Sequence, residues 1–161
     1  KTLGLIGFGR IGSLVGEKAA CLNMEVLFYR RTETDVDFAT QVEFDELLQR
    51  SDYISLHVPH TPATHHILGA EEFAKMKDGV YVVNCGRGGT VDEDALLDAI
   101  ASGKVAGAAF DVYEDEAKER GQKLMTRPEV IGSPHVGAGT AEAKARVGEE
   151  TAAIAIEIAN R

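Results

Sequence analysis

The segment TLGLIGFGRIG, residues 2–12, decides the fold of this chain, because an apolar run leads directly into a glycine-rich turn. The run from Leu3 to Ile6 predicts a buried β-strand, and the residues from Arg10 onward predict a helix. The three glycines have the spacing GxGxxG, which is typical of a tight turn between a strand and a helix. The segment therefore predicts the strand–turn–helix unit that opens a nucleotide-binding α/β domain.

Short apolar runs alternate with helical patterns along the rest of the chain, as is typical of βαβ units and a parallel sheet. We expect strands at Leu3 to Ile6, Val26 to Tyr29, Tyr53 to Leu56, Val80 to Asn84, Val105 to Phe110 and Val130 to Ile131, with a weak strand near Gln41. We expect helices at about Arg10 to Leu22, Asp45 to Gln49, Gly69 to Lys75, Asp92 to Ser102 and Thr140 to Ala159. The predicted fold is α/β: one domain over residues 1–161, with a Rossmann-type doubly wound parallel sheet in three αβα layers.

Composition argues against several classes of function. The formal charge of -9 disfavours nucleic acid as a partner, because nonspecific binding to phosphates needs a basic face. The sequence contains neither an apolar run of about 18 residues nor a signal peptide, so we expect no membrane span and a cytoplasmic protein. Cys21 and Cys85 belong to no metal-type cysteine pair and are predicted to be free thiols.

The glycine-rich turn predicts a site for the pyrophosphate of a dinucleotide. Gly7 would allow the tight turn, Gly9 would let the pyrophosphate approach the backbone, and Gly12 would let helix and strand pack closely. The helix N-terminus would offer N–H groups and a positive partial charge to the phosphates. The alternative is a turn with a purely structural role.

The end of the second predicted strand indicates which dinucleotide would bind. An acidic residue at this position would hold the ribose hydroxyls of NAD, but Arg30 stands there, followed by Arg31 and Thr32. Two arginines and a hydroxyl suit a 2'-phosphate, so the predicted cofactor is NADP(H), with NAD(H) as the second choice. The alternative is that both arginines are solvated charges at a strand end.

Four polar residues farther along the chain are candidates for substrate binding and proton transfer. Arg87 lies in a glycine-flanked turn and suits bidentate binding of a carboxylate. His135 follows a proline and precedes Gly137 by two positions, in a turn where an imidazole can exchange protons. Glu116 could pair with His135 and raise its pKa. Asp111 ends an apolar strand, where it could cap a helix or accept a hydrogen bond from a ligand amide. Each residue taken alone also has an ordinary structural role as its alternative.

Several motifs together give the chain a specific resemblance to the cofactor-binding domain of the D-isomer-specific 2-hydroxyacid dehydrogenases. The resemblance covers essentially all 161 residues. It rests on GFGRIG from Gly7, HVPHTPAT from His57 to Thr64, NCGRGGTVDEDAL from Asn84 to Leu96, GAAFDVYEDE from Gly107 to Glu116, and SPHVG from Ser133 to Gly137.

The resemblance implies a role for each candidate residue. Arg87 would bind the carboxylate of a 2-keto acid, while His135 would protonate its carbonyl oxygen as hydride arrives from the cofactor. Glu116 would hold and tune His135, and Asp111 would orient the nicotinamide through its carboxamide. Arg87 and His135 would also touch the cofactor, which would further be lined by Arg10, Ile11, Val58, Pro59, Thr64, Cys85 and Gly137.

Two departures from the family pattern affect the functional prediction. The family usually has proline after the glutamate, where this chain has Ala117, and usually has aspartate where this chain has Arg30. The second change moves the resemblance toward NADPH-using glyoxylate and hydroxypyruvate reductases. The alternatives are an NAD enzyme similar to D-3-phosphoglycerate dehydrogenase and a nucleotide-sensing module similar to the corepressor relatives of the family.

The histidines at positions 57, 60, 65 and 66 raise the question of a metal site. No cysteine or carboxylate pattern completes such a site, and the family resembled uses no metal, so we interpret these histidines as loop residues and predict no metal.

Members of the family also carry a second, substrate-binding domain. We therefore expect this chain to lack that domain, to turn over poorly on its own, and to derive from a protein that forms a homodimer.

Overall fold

The computed structural model describes residues 1–114 and 123–160. Its centre is a seven-stranded, all-parallel sheet in the order β3-β2-β1-β4-β5-β6-β7. The strands are β1 Thr2–Ile6, β2 Glu25–Tyr29, β3 Thr40–Gln41, β4 Tyr53–Leu56, β5 Val80–Asn84, β6 Val105–Phe110 and β7 Val130–Gly132. This order reverses beside β1, as it does in a doubly wound sheet, and the predicted fold class is confirmed.

Helices alternate with the strands, as the sequence predicts. They are α1 Arg10–Cys21, α2 Phe44–Arg50, α3 Ala70–Lys75, α4 Glu93–Ala101 and α5 Ala141–Ala159. Three of them begin one residue later than expected, because the expected first residue is the N-cap. The Asp92 side chain accepts hydrogen bonds from the amides of Asp94 and Ala95, and the Thr140 side chain accepts one from Ala143.

Hydrophobic cores lie on both faces of the sheet, because alternate residues of each strand point to opposite sides. In β1, Leu3 and Leu5 pack with Phe8 and Phe28 beneath α1. Ile6 belongs to the larger core, which α2, α3 and α4 cover on the other face. Burial on both faces explains why the strands are nearly continuous apolar runs.

The last helix, α5, stands apart from these cores. None of its residues is buried, and Val147, Ile154, Ile156 and Ile158 are each more than half exposed. Among the residues that the structure describes, no helix is both long enough and apolar enough to cross a bilayer.

Candidate cofactor and active site

The candidate residues are brought together by the register of the sheet. The last residues of six strands form one row of paired positions, so the residues that follow them lie along the same edge. The row consists of Tyr29, Ile6, Leu56, Asn84, Phe110 and Gly132. The carboxyl-terminal edge of a parallel sheet is where ligands bind in open α/β folds.

The glycine-rich turn after β1 has the shape that a dinucleotide requires. Gly7 has φ +94°, a left-handed conformation, and a Cβ built on it would lie 2.7 Å from the carbonyl oxygen of His57. A Cβ on Gly12 would overlap the carbonyl oxygen of Gly7. Gly9 differs from both, because a Cβ there would meet no atom within 4 Å. The first and third glycines are therefore needed by the protein itself, whereas the second leaves open space in front of the N-terminus of α1.

A cleft of about 190 Å³ lies beside this turn. Arg30 lies at its wall, where its Nη1 donates a hydrogen bond to the carbonyl oxygen of Phe8 at 3.2 Å, within the glycine-rich turn. Six of the residues that the sequence predicts for the cofactor line this one cleft, namely Gly7, Arg30, Arg31, Val58, Pro59 and Thr64. Of the other cofactor residues predicted, Arg10 and Ile11 are exposed in the first turn of α1, and Thr32 is exposed in the loop after β2.

A larger cleft of about 940 Å³ lies on the other side of Arg30, against β3. Its wall carries many carboxylates, including Glu33, Asp35 and Asp37. An acidic wall repels phosphate, so charge assigns an anionic ligand to the smaller cleft. Arg30 lines both clefts and marks the boundary between them.

The turn that carries Arg87 is shaped by two buried polar side chains. Asn84, which is 1% exposed, donates to the carbonyl oxygen of Arg87 at 3.1 Å and to the hydroxyl of Thr90 at 3.2 Å. The Thr90 hydroxyl also donates to the Arg87 carbonyl at 2.7 Å. The guanidinium of Arg87 is exposed and donates to the carbonyl of Gly86. Asn84 and Thr90 thus fix the backbone and leave the arginine head at the surface.

Asp111 holds the turn that carries His135. Its carboxylate accepts hydrogen bonds from the Ser133 hydroxyl at 2.6 Å, the Val136 amide at 2.9 Å and the Gly137 amide at 2.9 Å. The sequence predicted that Asp111 would cap a helix or accept a hydrogen bond from a ligand amide, whereas in the structure its carboxylate accepts from these three donors. The contact of Asp111 with the nicotinamide stays a prediction.

The same contacts determine the electrostatics of this turn. The pKa of Asp111 is lowered chiefly by the Ser133 hydroxyl, then by the Val136 and Gly137 amides, and also by the nearby charge of His135. His135 itself is exposed and has φ +53°, a left-handed conformation that few residues other than glycine adopt. The carboxylate therefore supports an unusual backbone geometry at the predicted proton donor.

Glu116 and Cys85 are the remaining residues predicted for the site. Glu116 lies outside the described residues, so its pairing with His135 stays a prediction. Burial, followed by the charge of Asp111, raises the pKa of the Cys85 thiol. The thiol is therefore protonated at neutral pH, and Cys85 is not activated as a nucleophile.

Sequence reasoning missed Asn84, Thr90 and Ser133 as supports of the site. A signal for Asn84 existed, because an amide that ends an apolar strand needs a hydrogen-bonding partner when it is buried. Thr90 and Ser133 gave no comparable signal, since each is one hydroxyl in a polar loop.

The histidine loop contains a carboxylate neighbour that the sequence argument did not anticipate. Single ligand atoms of His65, His66 and Glu114 lie within 4.8 Å of one another, so the argument that no carboxylate accompanies these histidines is wrong. However, the rings of His65 and His66 stack at 3.9 Å and 24°. Imidazole lone pairs lie in the ring plane, so nearly parallel rings do not aim at a common ion. The predicted absence of a metal stays a prediction.

Residues 1–137 match the family model described as D-isomer specific 2-hydroxyacid dehydrogenase, NAD binding domain. The chain is 48% identical to the hydroxypyruvate reductase of Thermotoga maritima, in an alignment of 153 positions that covers 93% of this chain and 50% of that protein. It is 42% identical to D-3-phosphoglycerate dehydrogenase 1 of Saccharomyces cerevisiae, in an alignment of 166 positions including gaps that covers 94% of this chain and 35% of that protein.

A solved structure agrees with this assignment. The D-lactate dehydrogenase of Aquifex aeolicus, complexed with NAD and lactic acid, superimposes with a TM-score of 0.91 at 38% identity. The match covers 99% of this chain and 53% of that chain. The present chain thus spans about half the length, or less, of these relatives.

Proposed function

The chain belongs to the D-isomer specific 2-hydroxyacid dehydrogenase family, and we propose that it is the cofactor-binding domain of an NADPH-preferring reductase of small 2-keto acids, of the glyoxylate or hydroxypyruvate type. One observation carries this proposal. The cleft beside the glycine-rich turn is lined by Arg30 and Arg31, where an enzyme selective for NAD would present a carboxylate. The similarity to a hydroxypyruvate reductase supports the substrate class.

The residues at the sheet edge fit a dinucleotide. The open space at Gly9 lets a pyrophosphate approach the N-terminus of α1, and the cleft next to it offers two guanidinium groups to a 2'-phosphate. When bound, the nicotinamide supplies the hydride that reduces the keto carbon. The reaction also needs binding of the substrate and protonation of its carbonyl oxygen, and the described residues include a candidate for each.

In this proposal Arg87 binds the substrate carboxylate, and the exposed guanidinium on a fixed turn suits bidentate hydrogen bonding. His135 donates a proton to the carbonyl oxygen of the substrate as that oxygen gains negative charge. Asp111 keeps the His135 turn in place through its bonds to Val136 and Gly137. Glu116 would hold the imidazole, as the family resemblance implies.

The proposal is tested by titrating the purified chain with NADPH and with NADH, following nicotinamide fluorescence, since the chain contains no Trp. We expect tighter binding of NADPH and the loss of this preference in Arg30→Asp. Charge-assisted hydrogen bonds contribute about 1.5 to 3 kcal/mol each, so one lost contact should weaken NADPH binding about ten- to hundredfold. Arg146→Asp, in the exposed helix α5, changes the net charge equally and should leave both affinities unchanged.

Equal binding, or tighter binding of NADH, would refute the NADPH preference. The second candidate would then be an NAD enzyme similar to D-3-phosphoglycerate dehydrogenase. The 42% identity to the yeast enzyme of that name supports this candidate. A second substrate-binding domain, a homodimer and a cytoplasmic location remain predictions about the whole protein. In that protein, His135→Ala should abolish turnover and keep cofactor binding, whereas a nucleotide sensor would keep its biological output.

A further inference from the structure

Gln41 connects the short edge strand β3 to the loop that follows β2. Its Nε2 donates to the carbonyl oxygen of Arg30 at 3.0 Å and to that of Thr32 at 3.3 Å. Its Oε1 accepts from the amide of Thr34 at 2.8 Å. One side chain thus fixes three alternate positions of the Arg30–Thr34 loop.

This loop needs to be fixed, because its charge changes sign along its length. Arg31 lines the small cleft beside the glycine-rich turn, and Glu33 and Asp35 line the large acidic cleft against β3. Arg30 lies at the boundary and lines both clefts. A shift of the backbone by two residues would put Glu33 in the place of Arg31, at the small cleft. The three hydrogen bonds of Gln41 bracket both Arg31 and Glu33, so they hold each charge on its own side.

The edge strand places Gln41 where it can make these contacts. β3 contains two residues, and Gln41 pairs with Phe28 of β2, one position before the end of that strand. The side chain therefore lies directly beneath the loop that leaves β2. The conformation of the loop depends on an element farther along the chain.

We propose that Gln41 is a positioning residue that sets cofactor specificity, by holding the Arg30–Thr34 loop so that arginine rather than carboxylate faces the 2'-position of the adenosine ribose. The inference rests on the proposed function, in which the small cleft receives that ribose. It goes further by assigning the selectivity to a residue outside the cleft, since Gln41 does not line the small cleft.

The test compares Gln41→Met and Gln41→Glu with the unchanged chain. Methionine keeps the length of the side chain and removes all three hydrogen bonds. Glutamate keeps an acceptor for the Thr34 amide but loses the donors to the Arg30 and Thr32 carbonyls. Gln49→Met on α2 is the matched control, because Gln49 is exposed and lies outside both clefts.

The probes are adenosine 2',5'-bisphosphate and adenosine 5'-monophosphate, titrated by calorimetry. The unchanged chain and Gln49→Met should prefer the bisphosphate. Both Gln41 variants should bind the bisphosphate about tenfold more weakly, because the binding-competent loop becomes a minor conformation, and should bind the monophosphate as before. Thermal unfolding of each variant checks that the fold is intact.

The outcomes separate this inference from the proposed function. If the unchanged chain does not prefer the bisphosphate, the NADPH proposal fails and this inference fails with it. If the preference is present and survives in both Gln41 variants, the inference alone is overturned. The inference is also overturned if both ligands weaken together, which would indicate a structural role, or if Gln41→Glu alone loses the preference, which would indicate simple repulsion.

Discussion

Replacing Gly9 by Ala separates a glycine that serves a ligand from glycines that serve the fold. Gly9 has φ −91°, which any residue adopts, and an added Cβ would meet no protein atom within 4 Å. Alanine reduces the conformational freedom of the unfolded chain but is a poorer N-cap than glycine, and these effects oppose each other. We expect the free energy of unfolding to change by less than about 1 kcal/mol, which is at most about 4 °C in Tm.

Cofactor binding should respond quite differently. A backbone amide and a phosphate oxygen form a hydrogen bond at about 2.7 to 3.2 Å, which leaves no room for a methyl group between the turn and the pyrophosphate. Losing one charge-assisted hydrogen bond of about 1.5 to 3 kcal/mol would weaken NADPH and NADH alike, by about ten- to hundredfold. The assay is a fluorescence titration beside a thermal unfolding curve on the same sample.

Gly12→Ala is the matched comparison, because its Cβ would overlap the carbonyl oxygen of Gly7. Backbone must move to relieve that overlap, so this variant should lose about 1 to 3 kcal/mol of stability as well as affinity. An affinity in Gly9→Ala equal to that of the unchanged chain would contradict the reasoning. The open space in front of α1 would then not be the pyrophosphate site.

Two further predictions concern the supports of the site. Asp111→Asn should lower Tm near neutral pH, because a carboxamide presents N–H groups to the donors of Ser133, Val136 and Gly137. These hydrogen bonds, the Ser133 bond first, lower the pKa of Asp111 in the folded state. The stabilisation of the folded state by the Asp111 carboxylate is therefore complete above the unfolded-state pKa of about 4, and it is lost as the pH falls through the folded-state pKa. The Tm difference between the variant and the unchanged chain should therefore shrink below about pH 4. A difference that stays constant with pH would contradict a stabilising role of the ionised Asp111 carboxylate. Asp92→Ala removes the N-cap of α4 and should cost about 1 kcal/mol in thermal unfolding, whereas Asp98→Ala on the exposed face of that helix should cost little.

The strands, the helices and the glycine-rich turn could be predicted because their signals are local. Apolar runs of four to six residues mark the strands β1, β2, β4, β5 and β6, and the spacing of three glycines marks the turn after β1. The parallel order of these strands then places every following loop at one edge, which is why Arg30, Arg87, Asp111 and His135 all lie along that edge.

The contacts within that edge could not be predicted, because they join residues distant in sequence. Asp111 accepts from partners 22 to 26 positions away, and nothing near Asp111 in the sequence specifies them. Gln41 lies in a two-residue strand whose periodicity is too short to measure, and its role comes from side-chain hydrogen bonds to another element. Periodicity predicts which face a residue occupies, whereas partner choice depends on how the elements pack.

The position of β1 in the middle of the sheet has a consequence for biosynthesis. β1 precedes the other strands in the sequence, yet one of its two neighbours is β4, where Tyr53 pairs with Leu3 from 50 positions earlier. At a translation rate of about 5 to 20 residues per second, that edge of β1 waits roughly 3 to 10 s for its partner. An unpaired strand that is mostly apolar can pair with other chains during this interval. This edge of β1 therefore stays open to aggregation until β4 has been synthesised, and a chaperone that covers it during this interval would protect the nascent chain.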